Sequence, residues 1–349
     1  MIITIFPKVL FSLNSFFSTE MTDQSTSTYP YKCYLETLLS YNADAKNTHL
    51  ETAFFYKEES GKESSNKKSE GGGYLKRHEK VKDGKKLYFS TQVHVDFFNT
   101  VRFLPPGVEV RLRFIRNQDS FSIITDKSGV NYKIKVNPKL KLVVRKIIPS
   151  DDLIDAHQKL FKSGNAKFPF SQSKISSHLV ARGVETVDLQ SVARGVLPSQ
   201  IFLFMVDHTA YSSNLKMNPF HFQNFSLSNL VFKVDGENVP LDGFRVDFDT
   251  GDYMRLYRNL LDCVGVASDN TGIYLDLEDF KTGCCIIGYS RCPDLCNLAH
   301  SHKGEPGVID VSMTFKKPLE KSISILSYAL YDRIAYIDEN RECKLEYLP

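Results

Sequence analysis

The sequence has no tryptophan, and none of its apolar runs approaches the roughly 18 residues that a membrane-spanning helix needs. A membrane protein is therefore not expected. It also lacks a G-x-G-x-x-G turn after a strand, a Walker loop, H-E-x-x-H and G-x-S-x-G, so the common signatures of nucleotide, metalloprotease and serine-hydrolase chemistry are missing. Cysteine is sparse and odd in number, seven in all, at Cys33, Cys263, Cys284, Cys285, Cys292, Cys296 and Cys343. Their spacing is not that of a disulfide-stapled secreted domain, so reduced thiols in a soluble intracellular protein, cytoplasmic or nuclear, are the expectation. The only leader-like stretch, residues 2–17, is broken by Lys8 and Asn14 and has no small-residue cleavage site, which argues against secretion.

Among what is there, 25 Phe and 17 Tyr lean the chain towards strands, because flat rings pack well on a pleated surface. At 349 residues the chain exceeds what one core usually holds, and 42% hydrophobic with 24% charged residues can fill two cores and still solvate a surface. The formal net charge is only +3, and residues 57–86 concentrate it, with ten Lys or Arg against six acids. A basic face spread over folded elements, the footprint of a nucleic-acid binder, is absent from this pattern. The same stretch is poor in apolar residues and contains Gly71, Gly72 and Gly73. It reads as a long mobile loop, turned outward and solvated, since interleaved Glu residues weaken a hold on phosphate.

Tyr31, Leu35, Leu38 and Leu39 fall at helical spacing. Beyond the loop come β-rich runs at 87–98, 108–115, 121–124, 132–136 and 140–148. Val93, Val95 and Phe97 alternate with His94 and Asp96, which predicts a half-buried strand with His94 exposed. Pro149 ends this series, and Ser150 is placed to cap a helix over 150–163 that carries Leu153, Ile154, His157, Leu160 and Phe161 on one face, His157 partly buried among them. Gly164 stops it, and the helix marks a domain boundary. Strands follow at 200–206, 227–234, 284–288, 308–315 and 323–329. One amphipathic helix interrupts them, carried by Tyr253, Leu256, Tyr257, Leu260, Leu261 and Val264, with Asp252 before it and Gly265 after it. Short strands with helical insertions point to sandwiches or jelly rolls.

Few residues suggest chemistry. Cys292, Cys296, His300 and His302 make a complete set of zinc donors, but all four fall within eleven residues, too cramped for the usual finger, so a surface loop is the better reading and no metal is expected. Asp247, Asp249 and Asp252 around Gly251 resemble the start of a calcium loop without its later ligands, and a turn feeding a helix explains them. Cys284 and Cys285 read as neighbouring strand positions. Asn224-Phe225-Ser226 is a glycosylation sequon that matters only in a secreted protein. No catalytic or cofactor-binding residue emerges.

Several segments, in order, resemble the major capsid proteins of Polinton (Maverick) transposons and their adintovirus relatives. They are Tyr29-Pro-Tyr-Lys-Cys-Tyr-Leu-Glu-Thr-Leu-Leu39, with Tyr31 and Leu35; Leu104-Pro-Pro-Gly-Val-Glu-Val-Arg-Leu-Arg113, with Pro106, Gly107 and Arg111; and Gly164-Asn-Ala-Lys-Phe-Pro169. Then come Arg194-Gly-Val-Leu-Pro198, with Leu197; Asn218-Pro-Phe-His-Phe222, with Pro219 and Phe220; Val234-Asp-Gly236, with Asp235; Pro293-Asp-Leu295, with Asp294, before His300; and Asp332-Arg-Ile-Ala-Tyr-Ile-Asp338. The likeness covers residues 29–345.

The resemblance implies an all-β double jelly roll, two antiparallel sandwiches side by side with short helical insertions. It implies a structural, transposon-derived capsid protein without enzymatic activity, cofactor or small-molecule substrate. Such a chain assembles as a homotrimer and then with neighbouring capsomers into a virion, in company with a penton protein and packaged DNA. Residues 29–165 then hold the C-terminal part of a first roll, and 166–349 a second. The departure is at residues 1–28, an unmatched leader expected to be disordered where the family has a longer first roll, so an N-terminally truncated, incomplete first roll with open edges is expected. Jelly rolls also serve as carbohydrate- or ligand-binding modules and as cupin-like metal enzymes, and both stand as alternatives.

Overall fold

The computed structural model describes residues 11–16, 28–62, 72–127, 129–130, 132–136, 141–292 and 304–348. The N-terminal part holds β1 (Phe11–Phe16), α1 (Tyr29–Ser40), α2 (Ala43–Asn47), α3 (Gly72–Val81), β2 (Arg111–Arg116), α4 (Asp119–Ser122) and α5 (Asp151–Ser163). There follow β3 (Ala166–Val180), β4 (Thr186–Val196), β5 (Gln200–Asp207), α6 (His208–Tyr211), β6 (Leu227–Val234), β7 (Glu237–Arg245), α7 (Met254–Val264) and α8 (Leu277–Thr282). The chain closes with β8 (Ile286–Ser290), β9 (Pro306–Phe315), β10 (Ile323–Ile337) and β11 (Cys343–Tyr347). Among the described residues, no helix is long and apolar enough to cross a membrane.

The strands from β3 onward form two antiparallel sheets, β3-β10-β5-β8 with β11 also beside β10, and β4-β9-β6-β7; apart from the β6–β7 and β10–β11 hairpins, consecutive strands pass from one sheet to the other as they do in a jelly roll. β10 is the spine of the first sheet. All 15 of its residues pair with β3, from Ile323 opposite Val180 to Ile337 opposite Ala166. Its other edge pairs first with β5 and then, from Arg333 to Ile337, with β11. In the second sheet β9 buries Ile309, Val311, Met313 and Phe315 at every other position, the period of a strand with one face on the core. The β6–β7 hairpin turns on Asp235 (φ 51°) and Gly236 (φ 90°), the two positive φ values of a type I′ turn whose twist suits the strands.

β5 is different: Ile201 to Asp207 are all buried. Register explains why. Ile201 pairs with Tyr289, whose ring stacks on Phe232 of the opposite sheet at 4.8 Å, so the odd positions face the sandwich interior. Phe202 pairs with Gly288, which abuts Cys263 of α7, and Phe204 meets Tyr31 of α1 at 6.1 Å, so the even positions are covered from outside by helices. A sheet covered on both faces requires an unbroken apolar strand. The helix α1 docks through rings, with Tyr31 at 5.4 Å and Tyr34 at 4.4 Å from Phe220. Tyr31, Leu35, Leu38, Leu39, Leu50, Phe55 and Phe121 thus share the core of the two-sheet sandwich, while Tyr29 and Cys33 belong to a second, smaller core.

Several expectations for the N-terminal half are overturned. Of the β-rich runs between 87 and 148, only Arg111–Arg116 is a strand: 96–99 is a 3-10 turn and 119–122 a helical turn, while 141–148 has no secondary structure. A ladder needs a run of backbone pairs, and among the described residues these segments and the residues beside them make at most single ones, such as Ser90 N–H to the Thr52 carbonyl (3.0 Å) and Thr125 N–H to the Leu215 carbonyl (2.7 Å). The expected leader contributes one: Phe11–Phe16 pairs with β2, from Phe11 opposite Arg116 to Phe16 opposite Arg111. The expected loop 57–86 is helical at Gly72–Val81, where Arg77 is buried and ion-paired with Glu58 and donates to the Tyr56 carbonyl at 2.9 Å. Charge read as solvation was in fact pairing; residues 63–71 lie outside the described residues.

His94 is also buried, not exposed, because Glu36 pairs with its ring and its backbone N–H donates to Tyr29 Oη at 3.2 Å. Strands β3, β4, β7 and β11 were not anticipated. Ser-rich β3 carries Pro169, tolerated because β3 is an edge strand; β4 is interrupted by a bulge between Leu189 and Ala193.

Two measurements follow. Phe220→Ala should lower unfolding stability by about 3–5 kcal/mol in denaturant titration, because a fully buried ring tying α1 to the sheet leaves a cavity. The second concerns Lys46, buried at 2% exposure with its ammonium donating to the carbonyls of Leu38 (2.8 Å) and Ile273 (2.5 Å). Burial pushes its pKa down from 10.5 to about 7. Above that value the unfolded chain holds a proton that the folded chain does not, so stability rises with pH. The thiols of Cys263 and Cys285, pushed up by burial to about 12, act in the opposite sense once unfolded thiols ionise. The denaturation midpoint should therefore climb from pH 7 to about 8.5, and Lys46→Met should flatten that slope.

Candidate functional site

The motif positions that carried the resemblance are not gathered into one site. They punctuate the fold. Tyr31 and Leu35 are fully buried on α1 against Phe220, and the Asn218 side chain accepts from the Phe220 N–H at 3.0 Å, shaping the turn that carries Pro219. Asp235 and Gly236 make the β6–β7 turn, and the Asp235 carboxylate also accepts from the Val308 N–H at 2.8 Å, so the turn is tied to β9. Leu197 is buried, its N–H donating to the Glu305 carbonyl at 2.8 Å, with Pro198 leading into β5. Asp338 accepts from the N–H groups of Asn340 and Glu342, both at 2.9 Å, closing the β10–β11 turn. Arg341 in that turn donates to the Pro106 carbonyl at 2.9 Å, beside Gly107 (φ 91°), and lies 4.0 Å over the Phe161 ring. Arg111 is exposed next to Glu109, and Pro169 lies on β3. Pro293 and Asp294 lie outside the described residues.

Cys296, His300 and His302 of the cramped zinc set also lie outside them, and Cys292 is disulfide-bonded, against the expectation of reduced thiols throughout. Cys33, Cys263, Cys284, Cys285 and Cys343 form no disulfide. Asp247 and Asp249 are held by Lys316 at 3.1 and 2.9 Å, and this cation keeps the Asp247 carboxyl below its ordinary range. Among the described residues no cluster of three or more His, Cys, Asp or Glu is arranged to hold a metal.

The feature that stands out is an open cleft of about 2400 Å³ between residues 89–114, residues 141–149 and α5. Its floor is the small core in which Phe97 packs on Phe168 and Phe170 at 5.8 and 5.5 Å. A buried polar network fixes that floor. Lys32 Nζ sits 2.7 Å from the Asp96 carboxylate, which in turn accepts from the Ser173 N–H at 2.9 Å, linking α1, the 96–99 turn and β3. A buried charge held by complementary groups resists displacement, since loss of either partner leaves the other uncompensated.

The walls are apolar and exposed. Val101 is 95%, Val143 89% and Ile148 85% exposed, with Phe103, Val144, Leu153 and Leu160 beside them. α5 does form over Asp151–Ser163, but its apolar face is not covered: none of its residues is buried, and His157 is exposed in the cleft instead of partly buried. Patches of this extent on a folded surface mark sites of interaction. The run around Val143 reads in the sequence as one of the short β-rich runs. Its flanking Lys141, Arg145 and Lys146 were the available signal that water reaches it.

No family model matches the chain. The uncharacterized protein F54H12.2 of Caenorhabditis elegans is 22% identical over 331 residues, 92% of this chain and 75% of that protein. Among solved structures, the chain is similar to one in the Sputnik virophage (12% identity, TM-score 0.51, covering 99% of this chain and 76% of that one). It is similar as well to one in the PBCV-1 virus capsid (10% identity, TM-score 0.53, 99% and 86%). At such identities the likeness speaks for the fold alone, and the fold is the all-β double jelly roll.

Proposed function

We propose that the protein is a capsid building block of the Polinton/Maverick type, working by shape and self-association and not by catalysis. The observation that carries the reading is the pair of sheet orders, β3-β10-β5-β8 and β4-β9-β6-β7, in a chain whose likeness to the two viral structures extends over 99% of its length. Residues 166–349 are the second roll. Residues 29–165 are the counterpart of the C-terminal part of the first, sharing a core with it through α1. Trimers are the unit of assembly, neighbouring capsomers and a penton protein the next partners, packaged DNA the content, and the virion the location.

The distribution of rigid and pliable parts supports this. Motif residues secure turns and the packing of α1, which holds the roll to one shape, as a tiling unit requires. The positive excess of 57–86 is partly consumed internally, since Arg77 pairs with Glu58 and Lys57 lies 2.5 Å from Asp279. Among the described residues, the lysines exposed on this stretch, Lys62, Lys76, Lys80, Lys85 and Lys86, are spread among acids and suit an outward, solvated face.

Light scattering coupled to size exclusion should give a discrete species of three times 39.8 kDa. A stable monomer across the concentration range would overturn the trimer and favour a binding module. Ordered hexagonal arrays or shells in negative stain at high protein concentration are the expected second step.

A further inference from the structure

Three properties of the cleft select its occupant, independently of whether the chain builds a shell. The first is the exposed apolar wall. The second is charge: among the described residues, the charged ones that line it are Arg102, Lys141, Arg145, Lys146 and Lys167, all cations. The third is backbone. Among the described residues, 141–149 makes no backbone hydrogen bond although it is rich in β-branched Val and Ile, and β2 pairs only with β1. A two-stranded ribbon is marginal alone, and an open edge is a template for a further strand.

Each property removes a class of occupant. A second copy joined through the same face would set cations against cations. Acyl chains of a membrane would cover the apolar wall beneath anionic headgroups, but they offer nothing to the unpaired N–H and C=O groups. Nucleic acid would answer the cations through its phosphates and leave Val101, Val143 and Ile148 in water. An extended polypeptide satisfies all three demands, through a backbone ladder, apolar side chains at alternate positions and carboxylates at its ends.

We propose that the cleft binds, in trans, an extended polypeptide segment of alternating apolar residues flanked by Asp or Glu, which adds as a strand alongside residues 141–149. The apolar positions fill the space between that segment and α5, and the acidic flanks meet Arg145, Lys146 and Arg102 at the rim. Added salt weakens the complex through the flanks while leaving the ladder and the apolar contacts.

The test is fluorescence anisotropy with the full chain and four probes: a labelled ten-residue peptide of alternating Val and Thr flanked by Glu pairs, the same peptide flanked by Lys pairs, the Glu-flanked peptide N-methylated at alternate residues, and labelled phosphatidylserine vesicles. The Glu-flanked peptide should bind saturably at one per chain, and the Lys-flanked and N-methylated forms roughly tenfold or more weaker, the size of one lost charge contact or ladder bond. Val143→Asp should weaken the Glu-flanked peptide, and Arg145→Glu should shift preference towards the Lys-flanked one. Both positions are exposed, so the fold is retained, as circular dichroism would check. Equal binding of the N-methylated peptide would overturn strand addition, and equal binding of the Lys-flanked peptide would overturn charge selection. Vesicle binding without peptide binding would assign the cleft to a membrane. An oligomer that Val143→Asp dissociates, with no peptide bound, would assign it to a second copy, and because the peptide is scored separately from the oligomer, either reading can fail alone.

Discussion

Pairing along β10 is the constraint on which the rest of the structure depends. One strand of 15 residues carries β3 along one whole edge and β5, then β11, along the other, so it sets the register of the first sheet at once. Because side chains alternate strictly, a slip of one residue would turn Ile325 from one face of the sheet to the other and take β5 with it. The fixed register presents Phe204 to Tyr31 and Tyr289 to Phe232, and so places α1 outside the sheet and β6 across from it.

The contrast between the two ends of the chain then has a simple physical basis. From β3 onward each strand of the two sheets has a partner and an apolar face to bury, and the buried residues run through the sandwich without interruption. Before β3, one two-stranded ribbon, short helices and a polar network around Lys32 and Asp96 hold the chain in place, and the apolar surface of 141–149 and α5 is left to solvent. Stability and binding potential are thus segregated along the sequence. The roll supplies a rigid body, and the segment before it supplies an unsatisfied surface.

Legibility in the sequence followed periodicity. The alternation in 308–315 and the i, i+3, i+4 pattern from Tyr253 to Val264 are properties of single segments, and both elements were readable, down to the left-handed Gly265 that ends α7. β3 was not, because Ser and Pro169 hide a strand that exists only through its ladder with β10. Nor was the burial of His94 or Arg77, since the carboxylates that compensate them, Glu36 and Glu58, lie 58 and 19 residues away in sequence. The cleft's five cations come from three separate stretches, so no local window joins them. The family motifs were legible because turns and ring clusters impose specific residues at fixed positions, and for the same reason they report on architecture and leave the cleft's chemistry unmarked.

The doubly buried β5 has a consequence for the chain as it is made. Its six apolar residues from Ile201 to Val206 emerge from the ribosome about 80 residues before Ile286, where β8 begins, and more than a hundred before Ile323, where β10 begins, and these are the two strands that pair with it. At typical rates of synthesis β8 follows after roughly 4–16 s and β10 after roughly 6–23 s. For that time a nascent segment rich in Phe, Ile and Val, without charge or proline, has the composition of an aggregating strand. The helix α1 is already outside the exit tunnel by then, and its Tyr31 and Leu35 are the first native surface that can cover it. The early helix thus doubles as an internal shield during translation, which ties the yield of folded protein to residues that, in the finished roll, look like ordinary core.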